Sequence, residues 1–252
     1  MFKSFFPNPR WFFISVLLWS VINVVLWYTG GNTWGSVIGW PQGYATAELP
    51  IGVSRFWSPS FLWFYLWFFI ATTFFALFWR FVSDNKWQRW SIWGSAFILF
   101  NIWFGVQVSV AINAWYGPFW DLIQSMLGKG GNIKDLYMGT LTFLYIAMVA
   151  VTFAVINAFF TSHYVFRWRT AMNEYYTQHW EKLRHIEGAS KRVQEDTMRF
   201  ATILEDLGVE LIKAVMVLVA FLPILFELSK NVPELPIVGE VKHSLVWASI
   251  IW

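Results

Sequence analysis

Long runs of apolar residues, separated by shorter polar connections, are the feature that most limits what this chain can fold into. They lie at 11–28, 61–82, 90–116, 136–160 and about 207–226. An α-helix rises 1.5 Å per residue, so about 20 apolar residues, with a range of roughly 17 to 25, cross the hydrocarbon core of a bilayer. Each run meets this length. The sequence therefore predicts helices that cross a membrane.

The composition agrees with this prediction. Hydrophobic residues make up 57% of the chain and charged residues only 13%, whereas about a quarter of an ordinary soluble domain is charged. The net charge of +3 is typical of cytoplasmic loops attracted to anionic lipid and does not favour nucleic acid as a partner. We expect an all-α integral membrane protein, a polytopic helical bundle formed by one transmembrane domain over residues 1–252.

The two ends of the chain need separate interpretation. The run at 11–28 is longer than the roughly 7 to 15 apolar residues of a signal peptide, and no small-residue cleavage site follows it, so we interpret it as a retained first span. The glycines and prolines of 30–60 predict an external loop. The last run, 244–252, begins a sixth apolar segment that is too short to cross a bilayer. We therefore expect the chain to lack the C-terminal part of a longer protein.

One segment, 163–206, is dense in charge between two apolar runs. Its larger residues return every three or four positions, which predicts two long helices that turn near Gly188. Lys and Arg are concentrated here, in the N-terminal segment and in the connection near residues 80–89. By the positive-inside rule, this bias places the N-terminus and the helical extension 163–206 in the cytoplasm. For the cations themselves, a solvated surface is favoured over a site for an anionic substrate.

The sequence offers no support for catalysis. Lys129 follows a glycine, but Gly130 stands where a Walker A loop needs Ser or Thr. His179 and His185 are six residues apart, which places them on different helix faces and argues against a metal site. Since the chain also has no cysteine and no nucleophile motif, we expect neither enzymatic activity nor a metal or cofactor.

Two sets of residues associated with the second and third runs are candidates for contact with a substrate. Asn101, Gly105, Ser109 and Asn113 recur at i+4 spacing, which favours close helix packing over a stripe that lines a substrate path. Aromatic walls with a few polar groups suit diverse ligands, whereas single tryptophans are more often core or interfacial residues. The candidates for a broad substrate cavity are Trp57, Trp93, Trp103, Asn113 and Trp115.

Acidic residues near the start of the fifth run are candidates for carrying protons. Glu205 has no cation three or four residues away, so a carboxylate at the membrane boundary would lack a local partner. Asp206 and Glu210 are one helical turn apart, and two neighbouring carboxylates raise each other's proton affinity. Glu210 also has Lys213 one turn away, which favours a structural ion pair. The competing interpretation of Glu205 is a surface carboxylate in water.

The amino-acid sequence of the charged segment resembles that of a known family. Residues 162–176 and 183–201, which include the string Arg-His-Ile-Glu-Gly-Ala-Ser-Lys-Arg, closely resemble the SbmA/BacA family of bacterial inner-membrane peptide transporters. Shorter strings that resemble the same family lie at 1–7, 55–58, 114–119, 121–124 and 232–237. The resemblance implies a homodimer whose helices are arranged like the membrane domains of ABC exporters, without nucleotide-binding domains.

The same resemblance implies proton-coupled import of peptides across the inner membrane, with the proton gradient as the energy source and no cofactor. The substrates it implies are microcins, proline-rich antimicrobial peptides and bleomycin-like glycopeptides. Glu205 matches one of the series of glutamates that the family is thought to use along its proton path. Two alternatives stay open. One is the membrane half of an ABC transporter whose ATPase lies elsewhere, and the other is a receptor or scaffold whose charged segment docks a cytoplasmic partner.

Overall fold

The computed structural model describes residues 2–130, 132–230, 234–235, 239–240 and 244–251. Helices make up most of this part of the chain. In order they are α1 (Phe2–Phe5), α2 (Pro9–Leu26), α3 (Pro59–Val82), α4 (Ser95–Lys129), α5 (Ile133–Gln178), α6 (Trp180–Leu183), α7 (Ala189–Ile203), α8 (Val209–Ser229) and α9 (Ser244–Ile251). Shorter elements are the 3₁₀ helices Trp34–Ile38 and Val53–Trp57, the π-helical turns Trp27–Gly31, Trp90–Gly94 and Leu204–Gly208, and an antiparallel pair of strands, β1 (Glu234–Leu235) and β2 (Gly239–Glu240).

Several of these helices suit a bilayer. Within the described residues, four helical stretches are long and apolar enough to cross a membrane, namely Pro9–Gly31, Pro59–Val82, Trp90–Gly128 and Ile133–Gln178. The predicted all-α polytopic membrane protein is thus confirmed. Most of α2 is exposed, including its large hydrophobic residues Trp11, Leu17 and Val21. Such a surface is stable against lipid tails, which are as apolar as the side chains themselves.

Helices α4 and α5 form an antiparallel hairpin around an aromatic core. Phe104 of α4 stacks on Phe153 of α5 with ring centroids 3.8 Å apart. Toward the connection between the two helices, the indole Nε1 of Trp115 donates a hydrogen bond of 2.9 Å to the carbonyl of Gly139. These contacts fix the register of one helix against the other. Since α5 has 46 residues, it is about 69 Å long and extends well beyond a hydrocarbon core of about 30 Å.

A second cluster, which we call the junction core, joins the N-terminal segment to α3, α4 and α5. Phe5 of α1 is fully buried and stacks on Trp168 of α5 at 5.3 Å. Trp168 in turn contacts Phe200 of α7 edge to face at 5.4 Å. The buried members of the junction core are Phe5, Phe6, Phe12, Trp79, Trp87, Ile92, Ile98, Ile102, Tyr164, Trp168, Ala171 and Met172.

The bounds of the helical extension differ in part from the prediction. A turn does lie at Gly188, whose φ of 72° is left-handed and suits glycine. However, α5 ends at Gln178, and the short helix α6 precedes the turn. The reason lies at His179, whose Nδ1 is 2.8 Å from the carbonyl of Tyr175. A side chain that occupies this carbonyl competes with the backbone hydrogen bond that would continue the helix.

The third predicted span is also longer than expected. Its apolar run ends at residue 116, but α4 continues through Pro118 to Lys129. Proline removes one backbone hydrogen bond, which neighbouring packing can offset. Here Trp115 stacks on Phe119 at 4.4 Å, and the ring of Phe119 lies against Gly139 of α5. Helix α8 overlaps the predicted fifth span, lies against α4 and α9, and runs through position 223; the side chain of Pro223 lies outside the described part.

Candidate functional site

The acidic candidates lie where α7 meets α8. Residues Leu204–Gly208 form a π-helical turn between the two helices. Single π turns are rare within helices and occur frequently at functional sites. Glu205 and Asp206 occupy the second and third positions of this turn, while their side chains lie outside the part that the structure describes. The π turn is the local feature that sequence periodicity did not reveal.

The π turn is anchored on both sides by apolar contacts. Leu204, at its start, and Val209, directly after it, both pack against the junction core. One helical turn before Leu204, Phe200 contacts the buried ring of Trp168. Among the described residues, the indole Nε1 of Trp168 has no hydrogen-bond partner. The backbone that carries Glu205 and Asp206 is therefore held against an apolar core rather than in a free loop.

The π turn also changes which positions are neighbours along the helix. In an α-helix the residues three and four positions away are neighbours, whereas a π turn closes between residues i and i+5. Position 210 is therefore one π turn from position 205. Glu210 itself forms the predicted pair with Lys213, with Oε1 and Nζ 3.3 Å apart. Both side chains of that pair are more than half exposed, so the pair contributes little to stability.

An ion pair that the sequence did not predict ties the connection after α3 to α5. Lys86 Nζ lies 2.8 Å from Glu174 Oε1, and the indole Nε1 of Trp87 donates to Glu174 Oε2 at 3.1 Å. Glu174 lies beyond the predicted span 136–160. The hydrogen bond from Lys86, together with that from Trp87, lowers the pKa of Glu174 despite the opposing effect of burial. Because 88 residues separate Lys86 from Glu174, sequence spacing gave no signal.

Lys86 of this ion pair lines two neighbouring open cavities. One, of about 550 Å³, lies between the N-terminal segment and α5, and both Lys86 and Glu174 line it. The other, of about 600 Å³, lies between the end of α3 and the start of α4 and is lined by Arg80, Arg89 and Trp93 among others. A third cavity, of about 490 Å³, lies between α5 and α7. All three are lined mainly by residues near or beyond the ends of the predicted spans.

The structure does not gather the five substrate-cavity candidates at one place. Trp93 lines the cavity between α3 and α4, and the other four candidates line none of the three cavities described above. Trp103 stacks on Phe64 of α3 at 4.1 Å, and Trp115 is buried in the α4–α5 core. Trp57 is 70% exposed, and Asn113 is exposed as well.

The polar stripe on α4 is not a packing face against the described part of the chain. Only Asn101 is buried, while Gly105, Ser109 and Asn113 are exposed. A Cβ atom added at Gly105 would meet no heavy atom within 4 Å. Three of the four positions are therefore exposed on the surface of the described part of the chain. Asn101 is thus packed within the chain, while close helix packing at the other three positions stays a prediction.

Two of the three histidines in the charged segment, His163 and His179, have local partners. His163 lies 3.4 Å from Nε of Arg167, and Nδ1 of His179 lies next to the carbonyl of Tyr175. Within the described ranges, no group of three His, Cys, Asp or Glu side chains is arranged to hold a metal ion.

Comparison with known protein families gives a match over most of these elements. A model of the SbmA/BacA-like family matches residues 84–252, which is two thirds of the 252-residue chain. The matched part starts at the connection after α3. It contains Glu174, the π turn with Glu205 and Asp206, and the pair of Glu210 with Lys213. Every acidic candidate of the site thus lies inside the matched region.

Proposed function

The chain belongs to the SbmA/BacA-like family, a family of peptide transporters, and we propose that it imports antimicrobial peptides across the bacterial inner membrane. The proton gradient supplies the energy, and no cofactor is needed. The substrates are microcins, proline-rich peptides and bleomycin-like glycopeptides. Two copies form the working transporter, with each N-terminus in the cytoplasm. The four membrane-crossing stretches among the described residues supply the scaffold that this function requires.

The observation that carries the coupling proposal is the position of the acids. Glu205 and Asp206 lie in a π turn that joins the charged extension to the apolar helix α8. Acidic groups at the edge of a membrane are costly unless they are paired or can take up a proton. Within this segment, Lys213 is 3.3 Å from Glu210. We assign proton transfer to Glu205, with Asp206 and Glu210 as neighbouring carboxylates that tune its proton affinity.

The exposed candidates suit a cavity that two copies form together. Trp57 and Asn113 are exposed in this copy of the chain. Gly105 and Ser109 of α4 are exposed as well. A cavity between two copies could use such residues for stacking and hydrogen bonding with peptides of varied sequence. In this proposal, Trp103 and Trp115 do not contact the peptide but stabilise the helices that form the cavity, because they pack inside the chain.

Replacement of Glu205 by glutamine tests the proposed coupling. Glu205→Gln keeps the size of the side chain and removes its titration, so gradient-driven uptake of a fluorescent proline-rich peptide into cells should be lost. Folded protein and peptide binding should stay at wild-type levels. The matched control is Glu195→Gln, which breaks the exposed ion pair with Lys191 and should leave uptake within about twofold of the wild type. Normal uptake by Glu205→Gln at equal expression would exclude Glu205 as the coupling group.

A further inference from the structure

The interface between α4 and α5 contains two asparagines at the same level. Phe97 contacts Phe160 edge to face with ring centroids 4.4 Å apart, and Phe104 stacks on Phe153 at 3.8 Å. Asn101 lies four residues after the first α4 ring and three before the second. Asn157 has the corresponding position on α5, four residues after Phe153 and three before Phe160. Since residues three and four apart share a helix face, the two asparagines lie on facing stripes, between two aromatic contacts.

The polar atoms at this level lack protein partners. Asn101 is only 4% exposed, and among the described residues neither its Nδ2 nor its Oδ1 has a hydrogen-bond partner. The same holds for Oδ1 of Asn157 and for Oγ1 of Thr161, one turn further along α5. The two amides therefore make no direct hydrogen bond with each other through these atoms. Buried polar atoms are nearly always hydrogen-bonded, to protein or to ordered water.

We propose that a water molecule binds between α4 and α5 and bridges Asn101 to Asn157. The two asparagines offer a hydrogen-bond donor, Nδ2 of Asn101, and the acceptors Oδ1 of Asn101 and of Asn157, but no charge. This suits a neutral ligand that both donates and accepts hydrogen bonds. The aromatic contacts on either side of this level favour a small ligand. A buried water typically makes two to four hydrogen bonds, and the unpartnered atoms of the two amides supply at least two. Asn101 lies about 18 Å along the helix from Arg89, well inside the membrane.

Radiolytic footprinting tests for this water directly. Synchrotron X-rays split bound water into hydroxyl radicals where it sits, and the radicals oxidise adjacent aromatic rings. Phe104 is 4% exposed and lies beside the proposed site, whereas Phe12 is 3% exposed and lies in the junction core. We expect oxidation of Phe104 but not of Phe12 in the purified protein. Oxidation of Phe104 should disappear in the double variant Asn101→Leu/Asn157→Leu. Protection of Phe104 in the wild type would overturn the proposal.

A thermal double-mutant cycle gives a second test that does not depend on radical chemistry. Asn101→Leu alone leaves Asn157 without its bridge, and Asn157→Leu alone leaves Asn101 without it. Each single variant should therefore lower the melting temperature by about 4 °C, while the double variant, with an apolar interface, should recover most of this loss. Two single effects that simply add in the double variant would show that the amides are independent and would overturn the proposal.

Discussion

At the scale of single residues, Glu174 shows how one carboxylate can connect distant parts of the chain. It accepts hydrogen bonds from Lys86 and from the indole of Trp87, and Trp87 belongs to the junction core. The cation also lies over the ring of Trp87 at 5.3 Å. These contacts hold the connection after α3 against α5 beside the N-terminal segment. The residue types at these positions were visible in the sequence, but the contacts depend on how α3, α4 and α5 fold back on one another.

The lowered pKa of Glu174 predicts a pH dependence of stability. Lys86 favours the charged carboxylate, so the folded-state pKa lies below the ordinary value of 4.5. The stabilisation is therefore fully present above pH 4.5 and is lost as the pH falls through the folded-state pKa. In detergent, Glu174→Gln should melt at a lower temperature than the wild type at about pH 6, and the difference should shrink below about pH 4.

The matched control is another surface ion pair. Glu195 lies 3.7 Å from Lys191, and both side chains are largely exposed. Glu195→Gln should leave the melting temperature unchanged at either pH. If Glu174→Gln and the wild type melted together at about pH 6, the ion pair with Lys86 would contribute nothing to the folded state.

At the scale of helices, apolar runs predicted where membrane-crossing segments lie but not where the helices end. The run at 136–160 lies within α5, yet α5 extends to Gln178 because polar residues can continue a helix that packs on α7. Likewise, α4 passes Pro118, a residue that usually marks a boundary, because Phe119 packs against α5. The π turn Leu204–Gly208 could not be predicted from the spacing of apolar residues, because it adds only one residue to a helical turn.

Glycines on α4 and in the π turn before it allow a test of helix packing. A Cβ atom at Gly94 would lie 2.6 Å from the ring of Tyr164, which is buried and hydrogen-bonded to Ser95. We expect Gly94→Ala to destabilise the protein by about 1–3 kcal/mol through overpacking. Gly105→Ala meets only open space, and should be neutral or stabilising by up to about 1 kcal/mol. Thermal unfolding in detergent measures both, and equal stability of the two variants would contradict the close packing of Gly94 against Tyr164 of α5.

At the scale of the whole molecule, the sequence established the class and the family, while the candidate site was predicted only in part. The pairing of Glu210 with Lys213 followed from local spacing and is present. The grouping of Trp57, Trp93, Trp103, Asn113 and Trp115 into one cavity rested on composition, which cannot tell a side chain packed inside the chain from one that faces outward. Coupling by Glu205, the homodimer and the exporter-like arrangement of helices remain predictions.

Energy coupling is the central claim, and uptake into reconstituted vesicles tests it most directly. The purified protein is placed in liposomes without any nucleotide, a pH gradient with the acidic side outside is imposed, and accumulation of a fluorescent proline-rich peptide is followed. The account predicts accumulation inside the vesicles that requires the gradient and stops when a protonophore is added. Accumulation that is unchanged by the protonophore would contradict proton coupling. Accumulation that appears only after ATP is supplied with a partner ATPase would contradict it as well.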